Sequence, residues 1–99
     1  MAILIRYRPS GLTRENYDKV NEILASGGAA EPPAELKLHV LFGDDGNLLI
    51  SEIWESEDAW RGMFDGPLGA AIKEVGIEMD GEPQQLPVHE FWGSDLKQS

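Results

Sequence analysis

Residues 36–64, ELKLHVLFGDDGNLLISEIWESEDAWRGMF when started at Glu35, constrain this chain more than any other stretch. Two apolar runs flank the turn Gly43-Asp44-Asp45-Gly46-Asn47, and the second run passes directly into Ser56-Glu57-Asp58. Glycine and aspartate between two strand-like runs mark a hairpin. A serine followed by acidic residues marks a helix N-terminus. The spacing therefore predicts strand, tight turn, strand and helix with almost no linker.

Pairing Phe42 with Leu48 predicts Val40 opposite Ile50, Leu38 opposite Glu52 and Leu36 opposite Trp54. One face then carries Leu36, Leu38, Val40, Phe42, Leu48, Ile50, Glu52 and Trp54. The other carries Lys37, His39, Leu41, Leu49, Ser51, Ile53 and Glu55. The first face is expected to meet the helices. The second is also partly apolar, and a sheet apolar on both faces needs cover on both. A second copy of the chain is the expected cover, making a homodimer.

The flanking segments complete the pattern. Ile3, Ile5 and Tyr7 share one face of a first strand that is apolar on both sides and is expected to be central. Thr13 is the expected N-cap of a helix whose apolar stripe is Tyr17, Val20, Ile23 and Leu24. Leu12 is placed to staple onto Tyr17. Ser26-Gly27-Gly28 stops this helix, and 27–35 form a loop held open by Pro32 and Pro33. Trp60, Met63 and Phe64 lie at helical spacing before Gly66-Pro67 interrupts. Leu68, Ile72 and Val75 continue, and Gly76 is the expected C-terminal cap. A last strand is expected over 84–92, at a sheet edge because Pro87 cannot donate to a ladder. The tail from Gly93 is expected to be loose.

The order strand, helix, strand, strand, helix, strand predicts an α+β, ferredoxin-like βαββαβ fold with a four-stranded antiparallel sheet. The 99 residues fit one small domain, 1–99. Such a chain buries about two-thirds of its unfolded surface, which favours a partner subunit. With 18 acidic and 8 basic residues, the formal charge is −10. That surface repels phosphate backbones and argues against nucleic-acid binding. It otherwise favours solubility. The sequence has no cysteine, so no thiolate site or disulfide is expected. No apolar run approaches ~20 residues, so no membrane span is expected. The start MAILIRYRP lacks a charged segment ahead of its apolar residues, and a cytoplasmic location is expected.

Ile53-Trp54-Glu55-Ser56-Glu57-Asp58-Ala59-Trp60, closing a strand and opening a helix, resembles the dimeric α/β-barrel superfamily. That group includes antibiotic-biosynthesis, quinol and haem-degrading monooxygenases. His39-Val40 and Pro87-Val88-His89 are similar to a small group of uncharacterised bacterial proteins within it. The resemblance implies a pocket between sheet and helices that holds a phenol or quinol and activates oxygen without metal or cofactor. Departures accompany it. There is no histidine between 40 and 88, where several members carry one on the helix, and Arg6 and Tyr7 stand where haem-degrading members have an asparagine. Haem ligation by the family route is not supported, and no cofactor is expected.

The functional expectation is a flat apolar cavity walled by Trp54, Trp60, Phe42 and Phe64 and oriented by Glu52 or a histidine. The plainer alternative is that these aromatics fill the core. His39 is the first choice for a base near neutral pH, with His89 the other histidine. The expected register sets His39 on the face opposite Trp54, a conflict removed only if the pocket opens at the sheet edge or the register slips by one. Glu52 and Glu90 interrupt apolar strand faces and need partners, Arg6 being the candidate. A divalent-metal site from His39, His89 and a carboxylate has no spacing to demand it. Three functions stay open: a cofactor-independent monooxygenase acting on a small aromatic, a non-catalytic ligand-binding member, and a barrel whose cavity is filled by side chains.

Overall fold

The computed structural model describes residues 1–28 and 31–93. Its strands are β1 (Ile3–Tyr7), β2 (Pro9–Ser10), β3 (Leu36–Phe42), β4 (Leu49–Trp54), β5 (Glu78–Met79) and β6 (Gln84–Pro87). Its helices are α1 (Arg14–Ser26), α2 (Glu57–Met63) and α3 (Gly69–Val75), with a wide turn over Phe64–Leu68 joining the last two. The main sheet has the order β3-β4-β1-β6, all antiparallel. This is the expected ferredoxin-like arrangement, with β1 central and β6 at an edge. β2 and β5 add a short ribbon that sequence reading missed. Residues 29–30 of the expected loop and 94–99 of the expected tail lie outside the described residues.

The helix signals operate as anticipated. Thr13 Oγ1 accepts from the Asn16 amide at 3.1 Å, and Ser56 Oγ accepts from the Ala59 amide at 3.2 Å. Each satisfies an N-terminal donor that the helix itself cannot. Gly76 closes α3 at φ 86°, a conformation costly for any residue with a Cβ. Between α2 and α3 the chain bends at Gly66-Pro67, and Gly69 passes so close to the Phe64 carbonyl that a Cβ there would lie 2.2 Å from its oxygen. The bend carries Leu68 toward the sheet.

Ile3, Ile5 and Tyr7 on β1 and Ile50, Glu52 and Trp54 on β4 face the helices. The core is Ile5, Tyr7, Trp54 and Trp60, all buried, with Met63, Phe64 and Leu68 packed against them. The opposite face carries Leu4, Val40, Phe42 and Leu49, and Leu86 of β6 shares it through its pairing with Leu4. Phe42 and Leu49 are each 41% exposed.

The hairpin register corrects the expectation. Leu36 does pair with Trp54, but a bulge follows between Leu36 and Leu38. Beyond it Leu38 pairs with Ile53, His39 with Glu52, Val40 with Ser51, Leu41 with Ile50 and Phe42 with Leu49. One residue of slip exchanges the faces of β3. The cause lies at the turn. Leu48 is buried and its amide donates to the Leu12 carbonyl at 3.1 Å, while the Arg14 amide donates to Asp45 Oδ1 at 2.8 Å. Both contacts tie the turn to the start of α1, so Leu48 leaves the ladder. The last strand is likewise shorter than expected, Gln84–Pro87 rather than 84–92, with one further amide, Val88, donating to the Ala2 carbonyl.

Candidate functional site

Because of the slip, His39 and Glu52 are direct cross-strand partners on the helix-covered face. Glu52 is 6% exposed, so its carboxylate needs partners. It has three. Tyr7 Oη donates to Oε1 at 2.8 Å, Trp54 Nε1 donates to Oε1 at 2.9 Å, and His39 Nδ1 lies 2.6 Å from Oε2. Trp60 Nε1 donates in turn to Tyr7 Oη at 2.9 Å. Tyr17 Oη of α1 lies 2.7 Å from His39 Nε2.

These contacts assign the protons. An ionised carboxylate only accepts, so the neutral imidazole carries its proton on Nδ1 and donates a hydrogen bond from it to Glu52. Nε2 then offers a lone pair, and the Tyr17 hydroxyl donates to it. A chain of three groups results, carboxylate, imidazole and phenol, running from the buried sheet centre to the surface of α1. Among the described residues no buried side-chain polar atom lacks a partner. Burial, then the neighbouring Glu52 charge and the hydrogen bond to it, push the Tyr7 phenol far above the usual tyrosine range, with the Trp60 bond opposing. Tyr7 stays protonated and serves as a fixed donor.

Two cavities flank this chain. One, of about 380 Å³, is bordered by His39, Glu52 and Trp54 of the sheet, Asn21 and Leu24 of α1, and Met63 and Leu68. Pro32 and Pro33 form its rim. The other, about 60 Å³ and almost wholly apolar, lies beside Tyr7, Tyr17, Val20, Ile50 and Ile72. Glu52, Asn21 and Leu68 border both. Tyr17 borders only the smaller cavity and His39 only the larger.

The expected wall is thus only partly assembled. Trp54, Glu52 and His39 border the larger cavity. Trp60 and Phe64 stack on each other with ring centroids 5.0 Å apart, behind that wall. Phe42 is a correction: it points to the opposite, open face. Arg6 is not the partner of Glu52, since it pairs with Ser51 and shares the open face. His89 is exposed beyond β6. Among the described residues no group of three potential metal ligands forms, so His39, His89 and a carboxylate do not converge. Sequence reasoning missed both tyrosines. Their signal was a hydroxyl within an apolar stripe, which requires a partner when buried.

Fold and site together define a ferredoxin-like α+β protein with a carboxylate–imidazole–phenol chain between sheet and helices. Among the described residues no helix is long and apolar enough to cross a membrane. No protein-family model and no curated protein matches the sequence. Solved structures do. A protein of Deinococcus radiodurans, provisionally named an antibiotic biosynthesis monooxygenase, is 18% identical with a TM-score of 0.57, over 94% of this chain and 97% of that one. A protein of Chloroflexus aurantiacus J-10-fl with the same provisional name is 20% identical with a TM-score of 0.51, over 97% of each chain. The chain shares the ferredoxin-like fold of these monooxygenase-type neighbours.

Proposed function

We propose that this protein oxidises a planar phenol or quinol with dioxygen in the larger cavity, with His39 as the base. The observation that carries the reading is the Glu52–His39 pair at the wall of a cavity that is mainly apolar, with Asn21, Glu31 and Lys37 also on its border, and large enough for one small aromatic. The fold of the neighbours agrees with it.

The chemistry runs as follows. Glu52 holds Nδ1–H and fixes the tautomer, leaving Nε2 as proton acceptor. His39 takes the substrate hydroxyl proton, and the carboxylate faces the imidazolium that forms. The resulting phenolate is electron-rich enough to reduce dioxygen. One quinol and one dioxygen give one hydroxyquinone and one water, so substrate supplies all four electrons. Trp54 offers the ring a flat wall, and its Nε1–H is already committed to Glu52.

We further propose a homodimer joined through the open sheet face. Its support is the apolar set Leu4, Val40, Phe42, Leu49 and Leu86 left without helix cover.

Oxygen uptake with a panel of naphthols and benzene- and naphthalene-quinols tests the activity. The wild type is expected to consume oxygen with at least one of them. His39→Ala is expected to lose about 10²- to 10⁴-fold, the range of a general base. Full uptake by folded His39→Ala removes the histidine from the mechanism. No uptake by the wild type across the panel removes the oxygenase reading.

A further inference from the structure

His39 has one nitrogen free of Glu52, and that nitrogen is covered. Tyr17 Oη sits on Nε2 at 2.7 Å, the distance of a strong O–H···N hydrogen bond. Tyr17 is itself a phenol. It occupies the seat on the base that the proposed reaction requires for the substrate hydroxyl.

The other tyrosine of the site is fastened differently. Tyr7 is buried, donates to Glu52 and accepts from Trp60, so its hydroxyl is held on two sides. The Tyr17 hydroxyl makes its hydrogen bond to His39 alone among the described residues, and its side chain is only half-buried. The ring borders the smaller cavity, which has about 60 Å³ of apolar space beside it. That space is the direction open to the ring when it leaves His39.

We propose that Tyr17 is a specificity-determining residue: an internal phenol that an incoming phenolic hydroxyl must displace from His39 Nε2. This rests on the reading that the larger cavity binds phenols. The contact acts as a filter. A ligand without a hydroxyl cannot replace the bond that Tyr17 gives up. A ligand whose hydroxyl is a better donor than an alkylphenol, whose own pKa is about 10, replaces it with gain. The filter selects ligands with acidic phenolic hydroxyls. Among these, fused-ring naphthols and naphthoquinols also keep the electron-rich phenolate that the reaction needs, so they are the substrate class, and electron-poor phenols are binders only.

Calorimetric titration of the full chain with phenol, 4-chlorophenol, 4-cyanophenol and anisole at neutral pH tests this, in wild type, Tyr17→Phe and His39→Ala. Anisole keeps the ring and lacks the hydroxyl proton. Tyr17→Phe removes the competing hydroxyl and keeps the ring, and its thermal melt checks the fold. The three phenols are expected to bind Tyr17→Phe about five- to tenfold more tightly than wild type, the worth of one net hydrogen bond. Anisole affinity is expected to stay unchanged. In wild type, affinity is expected to rise from phenol to 4-cyanophenol. If phenols bind the wild type, weaken in His39→Ala and are indifferent to Tyr17→Phe, the displacement is overturned while the phenol site survives. An equal response of anisole and phenols to Tyr17→Phe likewise overturns it. If no phenol binds any of the three proteins, both this inference and the reading beneath it fall.

Discussion

His39 Nδ1 is hydrogen-bonded to Glu52 Oε2 at 2.6 Å, between residues that face each other directly across the β3–β4 ladder. Cross-strand neighbours on one face lie close enough for short side chains to meet. The pair is therefore built into the sheet, with its geometry set by two backbones rather than by a loop.

Glu52→Gln keeps the size of that side chain and breaks its proton logic. Three donors now converge on two acceptor oxygens. An amide turns one of those oxygens into a donor, so either a buried donor faces a donor or His39 moves its proton to Nε2 and reverses its bond to Tyr17, and in both cases the charge-assisted bonds are lost. The expected loss is about 1–3 kcal/mol of stability, read from the urea midpoint. A variant as stable as wild type would refute a stabilising role for the charge at this position.

Trp54 is 2% exposed and lies in the core with Ile5, Tyr7 and Trp60. Its removal takes away a large buried ring and one donor to Glu52. Trp54→Ala is expected to lose roughly 3–5 kcal/mol in denaturant unfolding. A melting temperature within a degree or two of the wild type would contradict its place in the core.

Tyr7 predicts a limit at alkaline pH. Its folded-state pKa is raised by burial first and by the Glu52 charge second. Below the ordinary tyrosine value of about 10, both folded and unfolded states keep the proton and this group adds no pH dependence. Above it the unfolded chain loses the proton and the folded one keeps it. Stability then falls with pH by up to about 1.4 kcal/mol per unit from this residue. Tyr7→Phe is expected to be less stable at neutral pH, having lost two hydrogen bonds, and to fall less steeply above pH ~10. Parallel curves for the two proteins would refute the assignment.

The open sheet face predicts the assembly. Light scattering is expected to give twice the chain mass at micromolar concentration. Phe42→Glu combined with Leu49→Glu sets charges on two residues that pair across the hairpin on that face, and is expected to give monomers. A wild-type protein that stays monomeric at those concentrations would rule the dimer out.

Much of the architecture is legible in the residues themselves. Thr13 and Ser56 announce their helices because a side-chain oxygen three residues ahead of a free amide is a local arrangement. Gly76 and Gly66-Pro67 mark an end and a bend for equally local reasons. The alternation in β1 and β4 places Tyr7, Glu52 and Trp54 on one face without reference to anything distant. From the pattern of these elements the ferredoxin-like order follows.

The register of β3 does not follow from local pattern. Both faces of that strand carry apolar residues, so Leu38, Val40 and Phe42 fit the core side by hydropathy as well as His39 and Leu41. The choice is made where Leu48 bonds to Leu12 and Asp45 bonds to Arg14, residues distant along the chain. Those contacts lengthen the turn by one residue, and the bulge beside Leu36 restores the pairing with Trp54. The slip sends Phe42 outward and turns His39 inward to Glu52, with Tyr17 of α1 closing over it. The sequence by itself determined which groups could do chemistry, because that is a property of side chains. Only the tertiary structure decided which of them meet, because one residue of register turns a strand over and only packing against the helix distinguishes its two faces.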